Sequence, residues 1–332
     1  MSAPGAAFAA DLLDFDREAE VARIATALRD QITRRLRRRG VVLGLSGGID
    51  STVCAALAVQ SLGADRVLGL LMPESHSAEE STPLGRLAAD HLGIPTLVED
   101  ITPALEALGC YRRQEAAIRR VLPEYGPGWR SKLVLPSVLD SGSYRVFNLV
   151  AQSPDGEQRR VRLTPAAYLE LVAATNFKQR VRKMLEYHHA DRLVYAVLGT
   201  PNRLEYDQGF FVKNGDGAAD VKPIAHLYKT QVYALAEHLG LPRVIRERPP
   251  TTDTYSLPQS QEEFYFSLPY ARMDQCLWAR NHGLAPGEAA AATGLTPVQA
   301  ERVFEDIEAK RRATRYQHER PLLVEDVVEI HA

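Results

Sequence analysis

The stretch VVLGLSGGIDS at residues 41–51 decides the fold class of this chain. Residues 41–46 form a short apolar run rich in β-branched side chains, which predicts a strand buried on both faces. A Ser-Gly-Gly turn follows, and the Ala-rich residues 51–62 predict a helix. A buried strand that enters a helix through a glycine turn indicates the first unit of an α/β protein.

Further apolar runs extend this pattern in both directions along the chain. Strands are predicted at 67–72, 96–100 and 193–199, and helices at 11–39, 83–92, 226–240 and 299–313. Strands that alternate with helices imply βαβ units, so we expect a mostly parallel twisted sheet sandwiched by helices. The length suits one such domain across residues 1–332.

Two segments break the alternation. Residues 103–175 contain a GPGW turn, an SGS turn and the alternating run YRVFNLVAQ, followed by a DG turn. We therefore predict an inserted β-rich segment there, either a β-hairpin or a small subdomain. Residues 247–270 combine prolines and turn-forming residues with aromatics, which predicts a long ordered loop that acts as a substrate lid.

Composition and charge exclude several classes of function. The formal net charge of −2 gives no electrostatic reason to expect a nucleic-acid or membrane partner. No apolar stretch reaches the ~18 residues needed to cross a bilayer. Cys54, Cys110 and Cys276 are far apart and lack metal-ligand spacing, which argues against a disulfide scaffold or a zinc site. A cytoplasmic location is therefore expected.

The glycine turn has the chemistry of a phosphate site. Its glycines let backbone N–H groups approach an anion, the helix N-terminus adds its positive dipole end, and two serines offer hydroxyl groups. Asp50 places a carboxylate beside that anion, which is unfavourable without an intervening cation, so we interpret Asp50 as a Mg²⁺ ligand. The alternative is a tight turn that merely needs glycines. The candidate phosphate ligands are Ser46, Gly47, Gly48, Ile49, Asp50 and Ser51.

The same loop resembles the SGGxDS loop of the N-type ATP pyrophosphatases, which include NAD synthetase, GMP synthetase, argininosuccinate synthetase and tRNA thiolases. It lacks the Gly-Lys-Ser/Thr of a Walker A loop. The resemblance implies an adenine nucleotide alpha-hydrolase-like fold and a loop that binds the phosphates of ATP and the departing pyrophosphate. It implies adenylation and leaves the acceptor open.

Four later segments resemble the ammonia-dependent NAD synthetase family. Residues 176–184, 198–205, 210–217 and 223–242 are similar to its N-x-x-A-R-x-R-M helix, its G-T-x-N-x-x-E strand end, its F-x-K-x-G-D-G segment and its P-x-x-x-L-x-K-T-x-V helix, respectively. The resemblance spans about 20–315 outside the insertion. It implies deamido-NAD, ammonia and ATP as substrates, Mg²⁺ as the metal, and a homodimer.

Charged residues in these segments carry the predicted chemistry, with Lys229, Asp216 and Lys213 as candidate catalytic residues. Glu205 follows a buried strand, where ligand sites of open α/β sheets collect, and would complete the magnesium site with Asp50. Lys229 would neutralise the triphosphate and the charge that develops at the α-phosphorus. Lys213 and Asp216 lie in a Gly-rich loop, where Asp216 would bind a substrate amide, a hydroxyl group or ammonia. The plainer alternatives are helix-surface charge for Lys229 and turn chemistry for Asp216.

Four further residues are predicted to contact the substrates. Thr200 would bond the nucleotide or its phosphates, and Thr251 would contact a phosphate or the adenylate. In the family, the helix that corresponds to 176–184 belongs to the dimer interface and helps to bind the dinucleotide acid across it. The resemblance therefore implies substrate contacts for Asn176 and Arg180, and the alternative is a solvated helix face.

The sequence also departs from the family pattern. The insertion is longer than the usual link, and Gln179 replaces the usual Ala of the dimer helix. In the lid, Thr254 replaces a Leu, Gln261 replaces an Asp, and the aromatics at 264–266 replace Leu-Gly. Such changes either reshape the pocket for another acid or pack the loop.

These observations leave three hypotheses for the function. The first is amidation of deamido-NAD, and the second is an amide synthetase that acts on another carboxylic acid in a specialised biosynthetic pathway. The third is a nucleotide-binding subunit without catalysis, which the joint presence of Asp50, Glu205 and Lys229 disfavours. No segment resembles a glutaminase, so the expected nitrogen source is free ammonia or ammonia delivered by a separate protein.

Overall fold

The structure, a computed structural model, describes residues 12–135, 137–139, 147–251, 254–266 and 268–327. Parts of three predicted segments lie outside these ranges: residue 11 of the first helix, residues 136 and 140–146 of the insertion, and residues 252–253 and 267 of the lid. The strands are β1 (Val41–Gly44), β2 (Val67–Leu71), β3 (Thr96–Val98), β4 (Arg130–Val134), β5 (Asn148–Gln152), β6 (Gln158–Arg162) and β7 (Ala196–Val197).

The helices of the described residues include one long central helix, α6. They are α1 (Arg17–Arg29), α2 (Ile49–Leu62), α3 (Ser81–Leu92), α4 (Thr102–Ala107), α5 (Cys110–Arg119), α6 (Pro165–Leu193), α7 (Arg203–Gln208), α8 (Lys229–His238), α9 (Arg243–Glu247), α10 (Tyr270–Asn281), α11 (Pro286–Thr293) and α12 (Pro297–His318). A π-helical turn, Asp30–Arg35, extends α1. None of these helices is long and apolar enough to span a membrane.

Four strands form the parallel sheet that the alternating pattern predicts, in the order β3-β2-β1-β7. Val41 of β1 pairs with Val67 of β2 on one side and with Ala196 of β7 on the other. Side chains of β1 alternate between two layers, since Val41 packs with α1 and α2 whereas Val42 packs with Ala190 of α6. Helices on both faces of a parallel sheet confirm the predicted α/β class.

The predicted strand at 193–199 is shorter than expected. α6 continues to Leu193, and Val194 ends it in the left-handed conformation with φ 59°. β7 then covers only Ala196–Val197. Hydrophobic pattern alone cannot separate the end of a buried helix from a buried strand, because both are short apolar runs.

The segment at 103–175 contains helices as well as the predicted strands. It begins with α4 and α5, and α5 buries Cys110, Gln114 and Ile118 at helical spacing. β4, β5 and β6 then form a three-stranded antiparallel sheet, in which Gly156 closes the β5–β6 hairpin with φ 90°. Apolar side chains from α5, the three strands and α6 share one cluster, so this segment has a core of its own.

The segment at 247–270 is irregular over most of its described length. Thr251 pairs with Ser260 in an isolated antiparallel bridge, and a π-helical turn covers Glu262–Phe266. Helices α10 and α11, which the sequence pattern did not predict, follow it and pack with α12 in a second apolar cluster. α11 buries alanines such as Ala289 in place of large apolar side chains, so its hydrophobic period is weak.

Candidate active site

The predicted phosphate loop, residues 46–51, joins β1 to α2, and its backbone requires a glycine. Gly47 has φ 72°, and a Cβ there would come within 2.5 Å of the Cβ of Leu84. The Ser46 hydroxyl accepts a hydrogen bond from the N–H of Gly48 at 3.3 Å and lies 3.3 Å from the Ser51 hydroxyl. Both serines and the N-terminus of α2 line the same cavity, an arrangement suited to bound phosphate.

A buried ion pair lies next to this loop. Lys229, the first residue of α8, is fully buried, and its ammonium donates to Oδ2 of Asp50. The side-chain amide of Asn202 donates to Oδ1 of the same carboxylate at 3.1 Å. Burial opposes the charge on Lys229, but the carboxylates of Asp50 and Glu205 outweigh it and raise the pKa of Lys229. The lysine therefore keeps its charge beside the loop that is predicted to bind phosphate.

Glu205 is held on both of its carboxylate oxygens. Asn202 and Glu205 form a capping box at the start of α7, in which Glu205 Oε2 accepts from the N–H of Asn202 at 3.1 Å. Glu205 Oε1 accepts from the side-chain amide of Gln261 at 3.1 Å, so the lid contacts the predicted metal ligand. Burial, and then the nearby charge of Asp50, raise the pKa of Glu205 to about 8.

The chemistry of Asp50 and Glu205 fits a magnesium site. The pKa of Glu205 is raised first by burial and then by the charge of Asp50, and a bound divalent cation would oppose both effects by stabilising the two carboxylates in their charged form. Within the part of the chain that the structure describes, no group of three His, Cys, Asp or Glu side chains is placed to hold a metal ion. Mg²⁺ does not need such a group, since it commonly binds one or two carboxylates together with substrate phosphates and water.

Two residues that shape the site were absent from the predicted set. Asn202 lies in a quoted motif, and its N-x-x-E spacing to Glu205 is the sequence signal of a capping box. Asp274 is fully buried on α10 and accepts from the N–H groups of Lys229 at 3.2 Å and Thr230 at 2.7 Å. It therefore caps the helix that carries Lys229 and explains why α8 begins there. No local sequence signal marks Asp274.

Asp216 and Lys213 lie in one loop and have different partners. Asp216 Oδ1 accepts from the N–H of Val212 at 2.7 Å, and burial raises the pKa of the Asp216 carboxyl. Lys213 donates to the carbonyl oxygens of Tyr316 at 2.6 Å and Glu319 at 3.2 Å. The structure thus places the ammonium of Lys213 at the C-terminal end of α12, a contact that the sequence did not indicate.

One cavity of about 500 Å³ brings most of the predicted site residues together. The predicted residues that line it are Ser46, Gly48, Ile49, Asp50, Ser51, Asn176, Arg180, Thr200, Glu205, Lys213, Asp216 and Thr251. Gly47 packs against Leu84 and allows the loop its turn, and Lys229 contacts the lining residue Asp50. Arg180 also donates from Nε to the carbonyl of Lys213 at 3.3 Å, which links α6 to the loop of Asp216.

The three aromatics that distinguish the lid have different environments. Phe266 is fully buried among the residues of α10 and α12. Tyr265 lines the cavity and donates its hydroxyl to the carbonyl of Gln208 at 2.7 Å. Phe264 also lines the cavity and packs against the inserted segment. The lid aromatics therefore both pack the loop and shape the cavity.

A family model and two curated relatives assign this chain to one family. A family model described as NAD synthase matches residues 20–121 and 154–321, and the unmatched residues 122–153 contain β4 and β5. A curated relative from Rhizobium meliloti, named NH(3)-dependent NAD(+) synthetase, is 61% identical over 323 residues, which is 97% of this chain and 96% of that protein. A relative of the same name from Mesorhizobium japonicum is 61% identical over 318 residues, 96% of this chain and 100% of that protein.

A solved structure shows the same fold. The NH3-dependent NAD synthetase from Campylobacter jejuni superposes with a TM-score of 0.61 at 21% sequence identity, and the match covers 94% of this chain and 100% of that one. At this level of identity the likeness supports the fold alone. The fold therefore agrees with the family of the sequence relatives, and the cavity of this chain lies on the carboxyl side of the parallel strands.

Proposed function

Because the chain belongs to the NAD synthase family of carbon–nitrogen ligases, we propose that it amidates deamido-NAD to NAD, using ammonia and ATP and releasing AMP and pyrophosphate. Relatives named NH(3)-dependent NAD(+) synthetase match nearly the whole chain at 61% identity and do not favour a different acid. The observation that supports the proposal most directly is the group formed by Lys229, Asp50 and Glu205 beside the phosphate loop.

In the first half-reaction, the carboxylate of deamido-NAD attacks the α-phosphorus of ATP and pyrophosphate leaves. Ser46, Ser51 and the N–H groups at the start of α2 hold the phosphate chain. Thr200, which follows β7, and Thr251, which lies in the lid, line the cavity and contact the nucleotide. Lys229 neutralises the charge that develops at the α-phosphorus and on the departing pyrophosphate. Its buried contacts fix its position before substrate binds, so little reorganisation accompanies the step.

Asp50 and Glu205 are the residues that would hold Mg²⁺, which when bound supplies positive charge beside the phosphate oxygens. Lys229 and Asn202 orient the carboxylate of Asp50. Asn202 and Gln261 orient that of Glu205. Each predicted metal ligand is therefore held by two other polar groups, as is common around metal sites.

In the second half-reaction, ammonia attacks the acyl carbon of the adenylate. The C–N bond forms, the bond from that carbon to the phosphate oxygen breaks, and AMP leaves with the electron pair. Asp216 binds the incoming ammonia, and its raised pKa suits a carboxylate that takes a proton from nitrogen as the bond forms. Asn176 and Arg180 hold the dinucleotide acid from α6.

A homodimer in the cytoplasm is part of the same proposal. On α6, the apolar side chains of Leu169 and Met184 are 64% and 62% exposed, so this helix leaves apolar surface that a partner subunit would cover. The cysteines Cys54, Cys110 and Cys276 are free and buried, which supports a reducing compartment. Sedimentation of the purified protein should give the mass of a dimer, and a monomer would contradict this part of the proposal.

A direct assay tests the function. Purified protein with ATP, Mg²⁺, ammonium and deamido-NAD should release pyrophosphate and form NAD in equal amounts. Release of pyrophosphate only with another carboxylic acid would support the alternative amide synthetase. Absence of turnover with every acid tested would support a nucleotide-binding subunit without catalysis.

A further inference from the structure

Two departures from the family pattern meet at one side of the cavity. Phe147 belongs to the stretch 122–153 that the family model leaves unmatched, and Phe264 belongs to the altered lid. Their ring centroids are 6.0 Å apart. Phe147 also stacks on Tyr168 of α6, with 4.5 Å between centroids and 16° between the ring planes. The inserted segment and the lid therefore build one surface together.

The rings continue from there toward α7, the helix that carries Glu205. Phe264 lies 5.8 Å from the ring of Phe210 and 5.8 Å from that of Tyr255. Phe210 comes two residues after the end of α7. We call the rings of Phe147, Tyr168, Phe210, Tyr255 and Phe264 the aromatic wall, and all of them line the cavity.

The aromatic wall shares a helix face with the proposed contacts to the acid. Tyr168, Val172 and Asn176 are spaced by four residues on α6, so their side chains lie on one side of the helix, and all three line the cavity. Tyr168 lies eight residues before Asn176, a separation of about 12 Å along the helix. The aromatic wall thus extends the acid-binding side of the cavity beyond Asn176 and Arg180.

Accepting the proposed function as its premise, we propose that the aromatic wall is a subsite for a planar heteroaromatic ring of the acid, the ring at the end of the dinucleotide remote from the reacting carboxylate. Aromatic side chains offer a large apolar area, and they bind planar bases by offset stacking or edge-to-face contact. The inserted segment is then a substrate-recognition element, since Phe147 joins the subsite only through it.

The test compares the steady-state kinetics of the wild type with those of Phe147→Leu and Phe264→Leu. Stacking of a base on an aromatic ring commonly strengthens binding by about tenfold or more, so each variant should raise KM for deamido-NAD by about that factor. The kcat and the KM for ATP should change by less than about twofold, because the reacting groups are untouched. Phe147→Tyr keeps the ring and should keep the wild-type KM.

A matched control separates ligand binding from packing. Trp129 lies in the same unmatched stretch and contacts Tyr125 at 5.7 Å, but neither of these residues lines the cavity. Trp129→Leu should leave KM for deamido-NAD unchanged. An equal rise in Trp129→Leu would mean that a loosened segment causes the effect, and it would overturn the subsite.

A truncated substrate completes the test. Nicotinate mononucleotide has the same carboxylate but lacks the remote ring, so its kcat/KM should be equal in the wild type, Phe147→Leu and Phe264→Leu. If the variants raised the KM for ATP and left the KM for deamido-NAD unchanged, the subsite would belong to ATP and the inference would be overturned. An active wild type whose variants keep the wild-type KM would overturn the subsite alone, whereas a wild type inactive on deamido-NAD would overturn the proposed function as well.

Discussion

Lys229 and Asp50 are 179 positions apart in the sequence, and their side chains form an ion pair at the phosphate loop. The lysine side chain is fully buried and the aspartate side chain is 17% exposed. Each partner is fixed a second time, since Asp274 accepts from the N–H of Lys229 and Asn202 donates to Asp50. The stability of this region and the proposed chemistry therefore depend on the same few atoms.

Removal of the lysine charge should affect both rate and stability. Lys229→Met is expected to lower kcat for pyrophosphate release by about 10²–10³-fold, because it removes a fixed charge next to the departing group. It should also lower the free energy of unfolding by about 3 kcal/mol, because Asp50 is left unpaired. Lys229→Met/Asp50→Asn is the control and should recover stability without recovering the rate. If Lys229→Met alone kept the wild-type kcat, the proposed role of Lys229 would be contradicted.

The backbone of the phosphate loop can be tested with a pair of glycines. Gly47→Ala should weaken ATP binding by at least tenfold, since its φ is 72° and the new Cβ would meet Leu84 at 2.5 Å. Gly93 also has a positive φ, 65°, but no atom lies within 4 Å of a Cβ there. Gly93→Ala should cost about 1 kcal/mol of stability and leave ATP binding unchanged by calorimetry. If Gly47→Ala and Gly93→Ala bound ATP equally well, the result would argue against a phosphate-binding role for the loop.

The glycine loop between β1 and α2 and its charged neighbours could be located from the sequence because their signals are local. A strand, a glycine turn and a helix follow one another within residues 41–62, so residue type and spacing were sufficient. Asp50, Glu205 and Lys229 each lie in the first turn of a helix that directly follows a recognisable segment. The sequence therefore indicated these three side chains, and the fold places them together.

Contacts between residues that are distant in the sequence have no such local signal. Asp274 is fully buried against the N-terminus of α8, yet it comes from a helix that the apolar pattern did not reveal. The insertion and the lid aromatics could be noted as departures, but only the structure shows that the rings of Phe147 and Phe264 are neighbours. Hydrophobic periodicity predicts which face of a helix is buried. It does not predict which distant polar or aromatic group packs against that face.

A second buried ion pair should contribute to stability more than to chemistry. Lys178 donates to Glu74 at 2.9 Å and to the carbonyl of Thr254 in the lid at 2.7 Å, and neither side chain of the pair is exposed. Lys178→Met should lower the free energy of unfolding by about 3–5 kcal/mol in urea titrations, and adding Glu74→Gln should restore part of it. The exposed pair Arg243–Glu247 is the control, because Arg243→Met should change stability by less than about 0.5 kcal/mol. Similar losses in both variants would show that burial is not the cause.

The Asp274 carboxyl predicts a pH dependence of stability with a definite sign. Burial raises its pKa to about 6, although the N–H groups of Thr230 and Lys229 favour the charged form. The unfolded chain titrates near its ordinary value of 3.8. Between these values the folded protein holds a proton that the unfolded chain has lost. The resulting stabilisation is fully present below about pH 3.8 and is lost as the pH rises through 6.

Asp274→Asn removes this titration while it keeps an oxygen acceptor for the start of α8. From pH 4 to pH 7, the free energy of unfolding of the wild type should fall relative to that of Asp274→Asn by on the order of 3 kcal/mol, measured by urea titration at each pH. Asp100 is the control of opposite sign, because hydrogen bonds from Thr102 lower its pKa. The wild type should gain stability relative to Asp100→Asn as the pH rises over the acidic range. A constant difference for Asp274→Asn, or changes of the same sign in both variants, would mean that Asp274 does not titrate as its burial implies.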